Sequence, residues 1–337
     1  MARPTIVLPA GVLLAGILPT GALPTGAVAR GMIRLVLLAG LVLAALPGAA
    51  RAACTVQQRG TVAFTAVDRW LLVPVVVNGT DATFVLDTGA ERSLVTQAAE
   101  QRLGLAHDEW VATRMRGIGG LVEHPNADPR SLTLAGIPLH RRTITRDTSL
   151  TVGDIQGATP PGHTVDGLLG RDFLSLFDLQ LEIAAQRLTL FDVQGCSGRF
   201  LPWTGDYLDA PGQTLMTNAL VVPISVDGHA LRALLDTGAT SSLIAAPGMV
   251  RLGLTPAVLA QDPGATAGGI GPHALEMRRH PFASLRIGPD QQPNPILWVA
   301  PVHLVPIVDA LLGADWLETQ QRVWISFATA QLFFVPH

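Results

Sequence analysis

The chain has 337 residues, of which 48% are hydrophobic and only 15% are charged, so it can bury the cores of two domains. Its formal net charge is −3 and no run of basic residues is longer than two, which disfavours a basic groove for nucleic acid. The 34 glycines and 25 prolines, beside 5% aromatic residues, favour many turns and short strands over long helices.

The amino-terminal residues predict a signal for export. Residues 1–52 contain arginines but no acid, and from Met32 a short basic start leads into an apolar core at 35–46. Ala50-Arg51-Ala52 then matches a signal-peptidase motif. The apolar core is shorter than a membrane-spanning helix needs. We expect 1–53 to be a signal peptide, complete from Met32 alone, and the protein to be periplasmic or secreted. An uncleaved membrane anchor is the alternative.

Two cysteines, Cys54 and Cys196, lie far apart in the chain. In an exported protein such a pair is typical of a disulfide, and this one would make residues 54–197 a single unit. Two unrelated buried thiols are the alternative. The distant cysteines and the histidine spacing show no metal-ligand pattern, so we expect no metal.

One motif occurs twice in the chain. FVLDTGAERSLV at 84–95 and ALLDTGATSSLI at 233–244 each place an acid after an apolar run, followed by Thr-Gly-Ala and then a serine. Residues 71–105 align without a gap onto 220–254. The two halves therefore share one fold, and we place a linker at 198–215 and the second unit at 216–337.

Both repeats open with the same predicted strand-turn-strand unit, whose second strand ends at the acid. The glycine after each acid allows a sharp turn. The evidence is a pair of β-branched runs, at 71–77 and 220–226, followed by the hairpin signals Asn78-Gly79 and Asp227-Gly228.

A glycine-rich tip follows in each half, between two β-like stretches. A mobile flap is the functional interpretation and an ordinary hairpin turn is the alternative. A phosphate-binding loop is excluded, because no G-K-[ST] follows and no helix is predicted there. The tips are Gly117, Ile118, Gly119 and Gly120 in the first half, and Gly268, Gly269, Ile270 and Gly271 in the second.

Each half ends with a Leu-Leu-Gly run, a short helical segment and two closing strands. Asp166 and Asp309 precede these runs, and we expect them to cap the short helices. Ser93 and Ser242 lie too close behind the glycine turns to be nucleophiles. We expect them to form hydrogen bonds with the active loop, which is the Asp-Thr-Gly segment of the same half.

Asp87 and Asp236 are the candidate catalytic pair. A single ionised carboxylate at the end of a buried strand is unfavourable, whereas two carboxyl groups related by a pseudo-twofold axis can share one proton. The ionised member can then take a proton from water while the protonated member gives one to a carbonyl oxygen. Neither half makes a site alone.

The residues after the two acids fit the same geometry. The hydroxyls of Thr88 and Thr237 could form hydrogen bonds across the axis, and the amides of Gly89 and Gly238 could hold the carboxylates.

These motifs together resemble the retropepsin-like aspartic proteases, a group in the same clan as pepsin. The resemblance rests on Asp-Thr-Gly-Ala-x-x-Ser, the glycine-rich flap and the apolar-apolar-Gly-Arg run, and it covers nearly all of 60–335. It implies an all-β fold of two pseudo-twofold-related acid-protease β-barrel lobes with short helices. We expect the lobes to pair within a monomer, because intramolecular pairing has a far higher effective concentration. A dimer in which each lobe pairs with its twin in another molecule is the alternative.

The resemblance also implies an aspartic endopeptidase without metal or cofactor, whose partner is a polypeptide substrate. Water activated between Asp87 and Asp236 would hydrolyse extended polypeptides, with the Thr-Gly residues supporting the loops and both flaps closing over the substrate. A non-catalytic peptide-binding module of the same fold is the main alternative. A glycosidase is disfavoured because six tryptophans and one tyrosine offer few sugar-stacking surfaces.

Some positions depart from the family pattern. Arg171 follows the first Leu-Leu-Gly but Ala314 follows the second, so the halves are not equivalent. Neither flap contains a tyrosine. Ala90 and Ala239 stand where pepsin-like lobes often carry a hydroxyl. Without that hydrogen bond the carboxyl pair is less acidic, which predicts a pH optimum of about 4–6.

Overall fold

The computed structural model describes residues 53–140, 148–155, 160, 162–215 and 217–337. Strands are the predominant regular structure in this part of the chain, and its helices are short. The predicted all-β fold class is confirmed. No helix within these ranges is both long and apolar enough to cross a membrane. The predicted signal peptide lies, except for Ala53, outside the described residues.

The first half of the chain supplies thirteen strands and two helices within the described ranges. They are β1 (Thr55–Ala63), β2 (Thr65–Val67), β3 (Trp70–Val77), β4 (Thr80–Leu86), β5 (Leu94–Val95), α1 (Gln97–Arg102), β6 (Ala106–Gly117), β7 (Gly120–Asp128), β8 (Leu132–Leu134), β9 (Ile137–Pro138), β10 (Leu150–Val152), β11 (Gly167–Leu169), α2 (Arg171–Leu174), β12 (Asp178–Glu182) and β13 (Arg187–Gln194).

The second half supplies thirteen more strands, two α-helices and one 3-10 helix, again counting only what the structure describes. They are β14 (Leu208–Pro211), β15 (Gln213–Thr214), β16 (Leu220–Val226), β17 (His229–Leu235), β18 (Leu243–Ile244), α3 (Ala246–Leu252), the 3-10 helix (Val258–Gln261), β19 (Gly264–Ala267), β20 (Leu275–Pro281), β21 (Ser284–Ile287), β22 (Asp290–Pro293), β23 (Ile296–Val299), β24 (Ala310–Leu312), α4 (Ala314–Leu317), β25 (Gln320–Ser326) and β26 (Gln331–Pro336).

Two ten-stranded sheets have the same topology. The first has the order β6-β7-β10-β5-β11-β4-β3-β8-β9, with β2 on β3, and the second has the order β19-β20-β23-β18-β24-β17-β16-β21-β22, with β15 on β16. We call the first sheet with α1 and α2 the first lobe, and the second sheet with its three helices the second lobe. The sequence repeat is therefore a structural duplication, as its gapless alignment predicts.

A third sheet joins the two halves of the chain. Its order is β1-β13-β12-β25-β26-β14, and its central contact is the antiparallel pairing of β12 with β25. Cys54 and Cys196 form a disulfide beside the paired ends of β1 and β13, which confirms the predicted bond. The segment predicted as a linker, 198–215, contains β14 and β15, and each pairs with a neighbouring strand.

The two predicted hairpin turns are confirmed by their backbone angles. Asn78 and Gly79 have φ values of 53° and 81°, and Asp227 and Gly228 have 49° and 81°. Two consecutive positive φ angles are the signature of the two-residue turn that matches strand twist. Each turn places its second strand, β4 or β17, so that the strand ends at an Asp-Thr-Gly triplet.

The expectation that Asp166 and Asp309 cap the short helices is wrong. The capping positions of α2 and α4 are Gly170 and Gly313, and neither has a side-chain cap. Both aspartates lie four residues before the capping position, which is too far upstream to reach the first helical amides.

These aspartates instead join the strand before each active loop to a helix of the same lobe. Asp166 accepts a hydrogen bond from the amide of Thr83 at 2.9 Å and pairs with Arg102 of α1 at 2.7 Å. Asp309 pairs with Arg251 of α3 at 2.9 Å. Both aspartate side chains are nearly inaccessible to water, so the arginines compensate a charge that would otherwise be buried alone.

Candidate functional site

Asp87 and Asp236 lie together at the ends of β4 and β17. The amide of each acid donates to the last residue of the parallel strand beside it, at 3.0 Å to Leu169 and at 2.9 Å to Leu312. The two carboxyl groups lie close enough that the charge of Asp236 acts on the pKa of Asp87. The sheets therefore bring two strand ends, 149 residues apart in sequence, into one pair of acids.

Glycine is required after each Asp-Thr pair because the opposite carboxyl group fills the space where a Cβ atom would lie. A Cβ on Gly89 would lie 2.2 Å from Cγ of Asp236, and one on Gly238 would lie 2.4 Å from Cγ of Asp87. Any side chain at these positions would push the two acids apart.

The two threonines connect the lobes beneath the acids. The amide of Thr88 donates to Oγ1 of Thr237 at 3.0 Å, and the amide of Thr237 donates to Oγ1 of Thr88 at 3.1 Å. Each hydroxyl donates in turn to a carbonyl of the opposite lobe, Leu235 at 2.9 Å and Leu86 at 2.6 Å. Both threonines are buried, so this reciprocal set of four bonds fixes the distance between the two loops.

Replacing Thr88 or Thr237 with valine is expected to destabilise the protein by about 2 kcal/mol in each case, because a buried amide and a buried carbonyl each lose their partner. The two variants should agree within about 1 kcal/mol, since the bonds are reciprocal. Urea unfolding measures both free energies. Thr65→Val, at an exposed position in β2, is the control. No measurable loss in either variant would contradict the role given to the bonds.

Backbone amides hold the inner oxygens of the two carboxyl groups. Oδ1 of Asp236 accepts from the amides of Gly238 at 3.0 Å and Ala239 at 3.1 Å. Oδ1 of Asp87 accepts from the amide of Ala90 at 2.7 Å. Both acids also line the cleft, where a water molecule or a peptide carbonyl can reach their carboxyl groups.

The surroundings make both acids hold protons more strongly than free carboxyl groups do. Burial raises the pKa of Asp87 to about 8, and the negative charge of Asp236 adds to that rise. Burial also raises the pKa of Asp236, while its amide bonds and the charge of Arg171 oppose the rise. The pair therefore retains one proton over a pH range in which an exposed aspartate would already be ionised.

Arg171 is the residue of this site that the sequence argument missed. Its side chain is 2% exposed, and Nη1 donates to the carbonyl oxygens of Thr88, at 2.8 Å, and Gly89. Nε and Nη2 bind Thr217 of the opposite lobe at 3.1 and 3.2 Å. Ala314 takes this place in the second lobe. The sequence feature that could have predicted the role of Arg171 is the Gly-Arg pair, which only the first half has.

The two serines behind the active loops do not bind those loops, which corrects the expectation. Oγ of Ser93 donates to Asp172 at 2.6 Å and accepts from the amide of Gly170 at 2.8 Å. The serine therefore joins the segment after the active loop to the first turn of α2. An acid two residues after Leu-Leu-Gly in both halves was the missed signal. The same bonds recur in the second lobe between Ser242, Asp315 and Gly313.

The predicted flap residues form two hairpin tips that meet above the acids. Gly117 ends β6 and Gly120 begins β7, while Gly268–Gly271 follow β19. The amide of Gly119 donates to the carbonyl of Ile270 at 3.0 Å. The tips and the acids line one cavity of about 520 Å³, large enough for several peptide side chains.

Apolar side chains line much of the cavity wall. They come from both lobes and include Trp70, Val85, Met277, Trp298, Leu304 and Val305. Among the described residues no group of three His, Cys, Asp or Glu side chains is placed to hold a metal ion.

A family model described as aspartyl protease matches residues 73–173 and 222–316, which together are more than half of the chain. The chain belongs to the aspartyl protease family. Each matched segment of this aspartyl protease family member runs from a first hairpin strand, β3 or β16, to the helix after Leu-Leu-Gly. The match therefore covers the repeated unit once in each lobe.

Among solved structures, the aspartic proteinase from Irpex lacteus is similar to this chain at 13% sequence identity and a TM-score of 0.47. The similarity covers 84% of this chain and 97% of that one. A search of curated proteins finds no match to this aspartyl protease family member.

Proposed function

We propose that this protein is an aspartic endopeptidase that hydrolyses peptide bonds of extended polypeptides. The observation that carries the proposal is the pair of neighbouring buried carboxyl groups, Asp87 and Asp236, at the base of an apolar cleft under two hairpin tips. Membership of the aspartyl protease family supports it.

The reaction follows from one proton shared by two carboxyl groups. The ionised carboxylate takes a proton from a water molecule held between Asp87 and Asp236, and that water attacks the peptide carbonyl carbon. The protonated carboxyl gives its proton to the carbonyl oxygen, so no full negative charge develops there. Proton transfer to the amide nitrogen then lets the carbon–nitrogen bond break.

The substrate would be an extended chain lying between the acids and the flaps. An extended segment exposes its backbone amides and carbonyls, which the glycine-rich tips can approach closely because they have no side chains. The apolar wall would bind hydrophobic side chains on either side of the cleaved bond.

Mass spectrometry of a diverse peptide library incubated with the purified protein tests the proposal. Asp236→Asn protein prepared in the same way sets the background, and a chelator added to one series tests independence from metal. Cleavage by the wild type alone, with or without chelator, supports the proposal. Equal cleavage by both proteins would contradict it. Peptide binding without cleavage by folded wild type would favour the non-catalytic peptide-binding module.

The raised pKa values give an expected pH profile. Cleavage requires one proton on the pair, so activity should persist through pH 6 and fall only as the pH approaches about 8, where Asp87 loses its proton. This places the alkaline limit above the optimum of about pH 4–6 expected from the missing hydroxyls. Rates measured between pH 3 and 9 check it. An alkaline limb centred below pH 5 would show that the acids are less buried than the structure indicates.

We also propose that the protein is exported and acts as a monomer. The disulfide between Cys54 and Cys196 supports export, because such bonds persist in oxidising compartments. Pairing of Asp87 and Asp236 within one chain supports a monomer, because the intramolecular contact has a high effective concentration. Amino-terminal sequencing should find a start at Ala53 or Cys54, and light scattering should give the mass of one chain. An uncleaved amino terminus would favour a membrane anchor.

A further inference from the structure

Two charged side chains that the proposed reaction does not use line the cleft. Asp68 lies in the turn between β2 and β3, and Arg116 lies in β6 beside the first flap tip. Both are exposed. Neither has a hydrogen bond or an ion pair with any residue that the structure describes. They are therefore free to interact with a bound substrate.

The turn that carries Asp68 is held in an unusual conformation. Asp68 and Arg69 have φ values of 48° and 69°, a left-handed region that two successive non-glycine residues seldom adopt. Nε of Arg69 binds Glu318, which follows α4 in the opposite lobe, at 2.9 Å. This contact links the turn to the second lobe, and the pairing of β2 with β3 places Asp68 at the edge of the cleft.

The second lobe has no charge at either matching position. The turn between β15 and β16 carries Thr217, whose carbonyl and hydroxyl oxygens are occupied by Arg171. At the second flap, Ala267 precedes the glycine tip where Arg116 precedes the first. The cleft is therefore charged on its first-lobe side and neutral at the equivalent points of its second-lobe side.

We propose that Asp68 is a specificity residue, which binds a basic side chain at one position of the substrate peptide near the cleaved bond. The inference rests on the proposed endopeptidase function. A carboxylate without a partner at the edge of the cleft gains a charge-assisted hydrogen bond from an arginine or lysine side chain. Because Arg116 offsets the charge of Asp68 within the cleft, the preference should be confined to the one position that reaches Asp68.

The experiment uses pairs of peptides that are identical except for arginine or its neutral isostere citrulline. The arginine is moved in turn through the four positions on each side of a bond that the protein cleaves. The wild type should cleave the arginine peptide about fivefold faster, by kcat/KM, at one position and about equally elsewhere. Asp68→Asn should reduce that ratio to about one, and Asp68→Lys should favour glutamate at the same position.

Two matched variants separate a local contact from a general electrostatic effect. Asp81→Asn removes an exposed acid of β4 outside the cleft, and it should leave the ratio unchanged. Arg116→Gln removes the other free charge of the cleft. If Asp68→Asn and Arg116→Gln change the ratios equally and oppositely at all positions, the contact is not local and the proposal fails.

A wild type that cleaves peptides with no preference for arginine at any position also overturns this proposal, while the endopeptidase function stands. If the wild type cleaves nothing, the endopeptidase proposal fails, and binding of the same pairs to the folded protein decides the role of Asp68. Tighter binding of one arginine peptide, lost in Asp68→Asn, supports the role. Equal binding of every pair rejects it.

Discussion

Replacing Asp87 or Asp236 with asparagine is expected to lower kcat/KM for peptide cleavage by about 1000-fold or more. An amide cannot take a proton from water, and it cannot give one to the carbonyl oxygen at an accessible pH. Since the two acids act as one unit, either single replacement should be nearly as damaging as both together. Initial rates on the best library peptide measure all three variants.

The same replacements should stabilise the folded protein at neutral pH. A carboxyl group whose pKa is raised by folding contributes stability below its unfolded pKa, and this contribution is lost as the pH rises through the folded value. Burial raises the pKa of both acids, and that of Asp87 to about 8, so the window runs from about pH 4 to 8. Asparagine does not titrate and avoids this loss.

Thermal unfolding at several pH values measures the gain. At pH 7 we expect each asparagine variant to have a free energy of unfolding higher by at least about 1 kcal/mol, which corresponds to a rise of roughly 2 °C in Tm. The difference from the wild type should be smaller at pH 4. Asp290→Asn, at a partly exposed hairpin position, is the control for loss of one negative charge. Full activity in Asp236→Asn would show that the second lobe supplies no catalytic acid. A Tm that falls at pH 7 would show that ionisation of the buried acids does not destabilise the folded protein.

Replacing Arg171 with alanine is expected to destabilise the protein by about 3–4 kcal/mol, because buried carbonyls of the active loop lose a charged donor and a cavity remains. The guanidinium holds the carbonyls of Thr88 and Gly89 and, across the lobes, Thr217. Cleavage should also fall at least tenfold, since the loop that carries Asp87 loses its support. Urea unfolding and initial rates measure the two effects.

Two further variants separate the charge of Arg171 from its shape. Arg171→Lys keeps the positive charge but lacks the planar donor group, so it should recover part of the stability at most. The positive charge lowers the pKa of both acids. Arg171→Ala should therefore move the alkaline limb of the rate profile to higher pH, whereas Arg171→Lys should not. Arg286→Ala, at an exposed position, is the control and should change stability by less than about 0.5 kcal/mol. An unchanged pH profile in Arg171→Ala would limit the arginine to a structural role.

Several features of the fold and the candidate site are predictable from the sequence because they depend on neighbouring residues. Asn78-Gly79 and Asp227-Gly228 specify hairpin turns by local backbone preference, and these turns fix where the following strands end. The gapless repeat then implies that the two strand ends, and the acids that follow them, are equivalent in the fold.

The hydrogen-bond partners could not be predicted in the same way, because each partner is brought close only when the sheets form. Asp166 lies next to a helix in sequence, yet its carboxylate binds Thr83, which is 83 residues away. Ser93 likewise binds Asp172 and not the loop beside it. Local spacing carries no information about such contacts.

The sequence by itself determined the duplicated fold and the identity of the two acids. The tertiary structure alone decided what surrounds them: the buried arginine under one active loop, the reciprocal threonine bonds, and the free Asp68 at one edge of the cleft. The physical reason is that turn and strand preferences act over a few residues. Burial, charge and hydrogen bonding depend instead on which distant segments the packed sheets bring together.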